Sequence, residues 1–386
     1  GVGIAVLDSG IASTHYNMLG SDGVNSRVKK AVDFLKVGDA TAAWRRDWTP
    51  GIDASASLYP NSLTMLNYEM AIQSSSADRP DRYGHGTHVA SVAAGRGGYQ
   101  AVDSTGVAPN ANLYDVKVLD GEGYGQLSDV LAGIDWVIYY AKYKNIRIIN
   151  LSLGADSTES YRTDPLARAV RSAVAQGLVV VVAGGNFGLN ASGKETYGTI
   201  SSPGHEPSVI TVGSVNSKGT IDRADDTVNN FSSRGPTRGA WFDASGKRQI
   251  DNLLKPDLVA PGNRIVAALG EDTVAAGGAW NLLATRYPEL AKVSGASQAA
   301  DKGLMMLSGT SIAAPVVSGA VALMLEANAG LTPPLVKAIL QYTAQPLPGY
   351  NLAQQGAGQL NIDGAVRLSA AIRNDMKQKL DSGQTI

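Results

Sequence analysis

Short apolar runs closed by glycine, asparagine or aspartate recur along the chain, at residues 4–7, 113–119, 146–151, 178–183 and 209–212. Runs of this length and composition are buried strands. Between several of them the apolar spacing becomes helical. Val130, Ile134, Val137 and Ala141, flanked by Leu131 and Ile138, follow Ser128, which reads as a helix N-cap. Asp164 and Pro165 open another helix, with Leu166, Val170, Ala173 and Val174 on one face and Gly177 at its end. Strand, helix, strand, helix, strand over 113–183 is the order of parallel strands joined by crossover helices, so the expected class is α/β. Two late helices are predicted, one over about 311–327 and one opened by Thr332 with Pro333 in its first position.

Residues 36–83 and 270–306 hold few clean patterns and read as surface insertions. No linker divides the chain and no repeat is visible, so a single domain over 1–386 is expected. Hydrophobic residues make up 44 % and charged residues only 17 %, with 44 glycines, which describes a loop-rich globular protein. The net charge is −1 and there is no basic run, so nucleic acid is not an expected partner. The most apolar strand, 178–183, is far short of a bilayer, and no membrane partner is expected. Absence of cysteine excludes disulfides, thiolate nucleophiles and cysteine-ligated metals. The chain opens on GVGIAVLD, strand-like and without a leader, so upstream segments are expected in the precursor.

Ligands of open parallel sheets sit beyond the carboxyl ends of the strands. Here those ends read Asp8-Ser9-Gly10, Ser152-Leu153-Gly154 and Gly184-Gly185-Asn186. Taken singly these are turn sequences. His85, in YGHGTHVASVAAG, would alone read as a structural hydrogen-bonder, and Ser311, in SGTSIAAP, as a helix cap. Together, acid, imidazole and hydroxyl are the three parts of nucleophilic acyl transfer. The imidazole takes the serine proton and the carboxylate fixes its tautomer.

The chain order Asp8, His85, Ser311, with LDSG at 7–10, HGTHVA at 85–90, AGGN at 183–186 and SGTSIAAP at 308–315, resembles the subtilisin-like serine proteases, the subtilases. The resemblance continues through GVAP (106–109), VKVLD (116–120), SLG (152–154), FSSRGPT (231–237) and KPDLVAPG (255–262). It implies a three-layer subtilisin-like fold, a mostly parallel central sheet with helices on both faces. It implies that Asp8 is the orienting acid, His85 the general base and then acid, and Ser311 the nucleophile. Asn186 matches the oxyanion-hole amide, paired with the Ser311 N–H, and His88 is a structural helix residue. A serine at a helix N-terminus has free amides and the positive dipole end beside the developing oxyanion. Gly309, Thr310, Ala313 and Ala314 give close access, and Pro315 lacks the N–H that would bond the carbonyl of residue 311.

By the same resemblance, 121–127 (Gly123, Tyr124, Gly125) and 152–154 (Ser152, Leu153, Gly154) are edge segments between which a peptide is laid as an added strand. The pocket for the residue before the cut is expected from 152–154, Ala183, Gly184, Gly185 and Ser201, and one further upstream from Leu127 and Val130. No acidic residue falls at these positions, which predicts an apolar or uncharged preference. No cofactor is expected for the chemistry. The segment where many subtilases bind structural calcium is here GRGGYQAVDST (95–105), which lacks a convincing ligand set. Asp222, Asp225 and Asp226 offer hard oxygens, but read first as a solvated loop. The resemblance implies protein or peptide substrates, a propeptide in the precursor, an extracellular setting and a monomer. A dinucleotide enzyme is the rival, yet neither GEGYG nor AGGNFG completes G-x-G-x-x-G at a helix start. The related sedolisins share the serine motif but use a glutamate base, a place that His85 fills here.

Overall fold

Alternation along the buried runs sets the layers. In β1 (Gly3–Asp8), Ile4 and Val6 join one hydrophobic core while Ala5 and Leu7 join another. In β5 (Val179–Ala183), Val181 and Ala183 face the first core, Val180 and Val182 the second. Successive side chains point to opposite faces, so a run apolar at every position must be covered on both. The structure, a computed structural model, describes residues 1–35, 62–73, 81–271, 280–299 and 301–375.

Among the described residues, β1 lies at the middle of the main sheet. β3 (Asn112–Lys117) and then β2 (Val28–Asp33) follow on one side, and β4 (Ile146–Leu151), β5, β6 (Ile210–Asn216) and β10 (Leu258–Pro261) on the other. All of these pair in parallel. β7 (Thr227–Val228) adds to β6 antiparallel. Two small antiparallel pairs stand apart, β8 (Ala240–Phe242) with β9 (Arg248–Ile250) and β11 (Ile265–Ala268) with β12 (Leu304–Leu307). One face of the sheet is covered by α1 (Leu63–Ile72), α3 (Leu127–Lys144) and α4 (Pro165–Ala175). The other carries α2 (His85–Ala94), α6 (Thr310–Ala327), α7 (Pro333–Thr343) and α9 (Ile362–Ala371). The short helices α5 (Leu282–Arg286) and α8 (Leu352–Gln355) complete the set. This is the three-layer α/β arrangement expected from the sequence.

Helix and strand ends depart from expectation where a distant segment takes over the backbone bonds. The strand predicted over 113–119 stops at Lys117, because the Val118 and Leu119 amides both turn to the Asp8 carbonyl, at 2.9 and 3.1 Å. Ser128 does not cap α3. The helix starts at Leu127 with Gln126 at its cap position, and the Ser128 hydroxyl donates instead to Asp129 Oδ1 at 3.3 Å. Asp164 does cap α4, accepting from the Ala167 N–H at 2.9 Å, with Pro165 in the first position.

Among the described residues, α6 alone is long and apolar enough to cross a membrane, and 78 % of it is buried as the central helix of the fold. Most of the predicted insertion at 36–83 lies outside the described residues, but within it α1 sends Ile72 and Tyr68 into the core. The stretch 270–306 is not a surface excursion throughout. Asn281, Ala284, Leu304 and Met305 are fully buried, and β12 pairs with β11. Its described elements are a single α-helical turn, a four-residue 3₁₀ turn (Pro288–Ala291) and a four-residue strand, too short to leave a periodic signal.

Candidate active site

Parallel strands bring their carboxyl ends to one edge, and the polar residues singled out at those ends converge there. Asp8 is the last residue of β1, Ser152 follows β4 and Gly184 follows β5. His85 opens α2 and Ser311 is the second residue of α6. The Asp8 carboxylate is buried, and its two oxygens lie 2.8 and 3.0 Å from His85 Nδ1. A carboxylate can only accept there, so Nδ1 carries the proton and Nε2 is left with its lone pair. Burial pushes the His85 pKa down. The charge and hydrogen bond of Asp8, with the charge of Asp81 beyond it, outweigh burial and hold it above that of a free imidazole.

Around His85, the sequence assigned no role to Asp81 or Ser9. Asp81 is fully buried four residues before His85, where it accepts from the Gly84 and Thr87 amides at 2.9 and 2.8 Å. Burial pushes its carboxyl up, against those donors. The Ser9 hydroxyl lies 2.8 Å from Asp81 Oδ1 and 3.2 Å from Asp8 Oδ1, and accepts from the Gly86 N–H at 3.0 Å. One hydroxyl thus links the two carboxylates to the first turn of α2. His88, one turn on, has Nε2 3.0 Å from the Ile265 carbonyl, and burial pushes its pKa down to about 3.

At Ser311, Pro315 removes the amide that would bond the Ser311 carbonyl. That carbonyl is satisfied from another strand: Ser152 Oγ donates to it at 2.7 Å. Asn150 Nδ2 donates to Ser152 Oγ at 2.9 Å, and Ser318 Oγ to Asn150 Oδ1 at 2.8 Å, all from buried residues. Asn186 Oδ1 accepts from the Thr310 amide at 2.9 Å and the Thr310 hydroxyl at 3.0 Å. An amide N–H can only donate, so Oδ1 faces Thr310 and the Asn186 NH₂ group points the other way. A Cβ built on Gly309 would lie 3.4 Å from Asn186 Nδ2 and 3.6 Å from the Ser311 nitrogen, so these two donors flank the same point. The Ile312 and Ala313 amides turn back to the Gly309 carbonyl.

His85 and Ser311 open onto one cavity of 370 Å³, although among the described residues no hydrogen bond joins them. Sites of this kind often tighten only around substrate. Gly123, Tyr124, Gly125 and Leu127 line one side of it, and Ser152, Leu153 and Gly154 the other, with Val130 at its apolar end. Tyr83, Leu119 and Leu166 also line it and were not singled out from the sequence. Among the described residues no carboxylate does. Ala183, Gly184, Gly185 and Ser201 stand behind the cavity rather than on its wall. Backbone bonds tie them to it: Ser201 to Gly184 at 3.1 Å, and Ala155 and Ser202 to each other at 3.0 and 2.9 Å. The Ser152 hydroxyl is committed to the Ser311 carbonyl, so its predicted role at the pocket falls to its backbone.

Among the described residues no three histidine or acidic side chains come together as a metal cluster. In the 95–105 segment, Asn17 does the bridging, accepting from the Gly97 amide at 2.6 Å and donating to the Ser104 carbonyl at 3.0 Å. Asp222 and Asp225 are used within their own turn, by the Ala224 amide and the Thr220 hydroxyl.

The subtilase family model matches residues 1–365. The chain is 36 % identical to the serine protease AprX of Bacillus subtilis (strain 168) over 291 residues, 74 % of this chain and 58 % of that protein. It is 32 % identical to subtilisin DY of Bacillus licheniformis, over 74 % of this chain and 79 % of the relative. It thus spans little more than half of some curated relatives it matches. Among solved structures, sphericase superposes with a TM-score of 0.61 at 25 % identity, covering 93 % of this chain and 90 % of that one. A cold-adapted subtilisin-like serine proteinase superposes with a TM-score of 0.53 at 26 % identity, covering 94 % and 87 %.

Proposed function

That the chain belongs to the subtilase family is the premise from which we propose that it is a serine endopeptidase acting through an acyl-enzyme on Ser311. The observation that carries the reading is the 2.8 Å bond from buried Asp8 to His85, which lines the same cavity as Ser311. Ser311 Oγ attacks the scissile carbonyl while His85 Nε2 takes its proton. The carbonyl oxygen, now negative, accepts from the Ser311 N–H and Asn186 Nδ2. Collapse breaks the C–N bond, and His85 Nε2 returns the proton to the leaving amine. Water then attacks the ester, giving its proton to His85, and the acid leaves as Ser311 Oγ is reprotonated. Asp8 stays ionised, holding the Nδ1–H tautomer and balancing the imidazolium.

Substrate lies extended between 123–125 and 152–154, held by main-chain bonds that tolerate many sequences. The apolar lining and, among the described residues, the lack of a carboxylate there favour an apolar or uncharged residue before the cut. The reading takes 1–386 as one catalytic domain that works as a monomer. It carries an extracellular setting and a propeptide in the precursor, both taken from the family rather than from the site.

A fluorophosphonate probe tests it. The parent should be labelled at Ser311, seen by mass spectrometry, and should digest casein, while Ser311→Ala does neither. A parent that shows neither labelling nor digestion would be a peptide-binding relative, and labelling elsewhere would refute the assignment. Paired peptides with Phe, Leu or Lys before the cut test the pocket, and a strong Lys preference would contradict it.

A further inference from the structure

Three consecutive residues of the 121–125 segment are met from outside it. A Cβ on Gly121 would lie 2.5 Å from Arg82 Cδ, so the Arg82 stem rests on that backbone. Arg286 Nη2 is 2.6 Å from Glu122 Oε2. A Cβ on Gly123 would lie 2.5 Å from the Tyr83 ring. Arg82 and Tyr83 are themselves held from α5, where the Leu282 amide donates to the Arg82 carbonyl at 2.8 Å and the Leu283 amide to that of Tyr83 at 3.4 Å. Asn281, fully buried, fixes α5. Its Nδ2 donates to the Gly270 carbonyl at 2.7 Å and its Oδ1 accepts from the Ala284 amide at 2.9 Å. Gly84 packs so closely here, with φ +93°, that any Cβ would lie 2.2 Å from the Asn281 side chain.

The contacts close a ring from the core through Asn281 to α5, then along two routes, Arg82–Tyr83 and Arg286, to the same three residues. We infer that α5 sets the spacing between the segment preceding His85 and the 121–125 edge, and that Arg286 is a positioning residue for the binding of extended peptides. This rests on the endopeptidase reading above. Arg286 bonds neither Asp8, His85 nor Ser311, so its share is in binding rather than in the chemical step. Both partners are about half exposed (54 % and 42 %), which makes that share modest and sensitive to salt.

The test uses two substrates, a single-residue acyl ester too short to reach 121–125 and a hexapeptide anilide that spans it. Arg286→Ala should raise KM for the hexapeptide about two- to fivefold, leaving kcat and the ester unchanged. Arg286→Glu, which sets two like charges together, should raise it further, and the exchanged pair Arg286→Glu with Glu122→Arg should restore it. Raising salt should move the parent's KM towards that of Arg286→Ala. With a parent that takes the fluorophosphonate probe and cuts both substrates, three results overturn the inference alone: an unchanged hexapeptide KM in Arg286→Glu, equal shifts for both substrates, or no restoration by the exchange. A parent that neither takes the probe nor cuts either substrate sinks the endopeptidase reading, and this inference with it.

Discussion

Replacing Ser152 by alanine would break the relay Ser318–Asn150–Ser152–Ser311 at its last link. Two groups lose their partner, the part-buried Ser311 carbonyl and the buried Asn150 Nδ2. One unsatisfied buried polar group costs about 1–3 kcal/mol, so the pair should lower stability by about 2–4 kcal/mol after partial relaxation. The assay is urea unfolding in a Ser311→Ala background, which prevents self-digestion and leaves the residue 311 carbonyl in place. In the active background the same change should lower kcat about tenfold with KM within about twofold, because a nucleophile freed at its carbonyl samples poorer attack geometry. Pro315→Ala provides the control. An amide at position 315 can bond the residue 311 carbonyl as in a regular helix. Ser152→Ala should then cost about half as much, a coupling of about 1 kcal/mol or more. Equal cost in both backgrounds would refute the claim that Ser152 stands in for the amide proline removes.

Asn186→Ala should lower kcat by about 10²–10³ with little change in KM, a magnitude that comes from subtilisin itself; a raised KM with kcat intact would instead place Asn186 in ground-state binding. The acidic limb of kcat/KM should report His85 and lie above the pKa of a free imidazole, since only the neutral ring can take the Ser311 proton. Asp81→Asn removes a negative charge that favours the imidazolium, so the limb should move to lower pH, and an unmoved limb would count against that coupling. His15 should make the fold acid-sensitive. Its Nε2 lies 2.9 Å from the Gly303 carbonyl and its Nδ1 accepts from the Asn17 amide at 3.1 Å, so a second ring proton would face a donor. Burial pushes its pKa down to about 4, the unfolded chain therefore binds the proton first, and stability present above about pH 6.5 is lost as pH falls towards 4. The loss should reach about 3 kcal/mol at pH 4, and urea midpoints of Ser311→Ala with and without His15→Gln should show it as a slope that only the protein retaining His15 has.

Strand ends and short motifs were legible because each is local. LDSG, HGTHVA and SGTSIAAP each hold a strand end or helix start together with its chemical group, so finding the turn finds the residue. What stayed hidden is paired across the chain. Asp81 lies in an arginine- and proline-rich loop that reads as solvated, and only the fold brings Ser9, 72 residues away, onto it. Pro315 can be read as freeing a carbonyl, but the hydroxyl that takes it comes from 159 positions before Ser311. The Ser128 cap failed for a related reason: the Gln126 carbonyl already accepts from the Asp129 amide at 3.1 Å, which starts the helix two residues early. α5 is one turn long, and its place beside Arg82 and Tyr83 rests on backbone amides, which no side-chain pattern encodes.

The two carboxylates near His85 have different duties because a hydroxyl has one proton. Ser9 Oγ lies nearer Asp81 than Asp8, 2.8 against 3.2 Å, so the shorter contact is the stronger bond and Asp8 receives the weaker share of that proton. Asp8 Oδ1 is served instead by the Ser9 amide at 2.8 Å and by His85 Nδ1. Both are N–H donors fixed by backbone or ring geometry and cannot rotate away. A rotatable hydroxyl on Asp8 would compete with the imidazolium for the charge that catalysis needs. By drawing most of that proton to itself, Asp81 keeps Asp8 for His85, and so a buried carboxyl that already accepts from the Gly84 and Thr87 amides also serves the pair beside it.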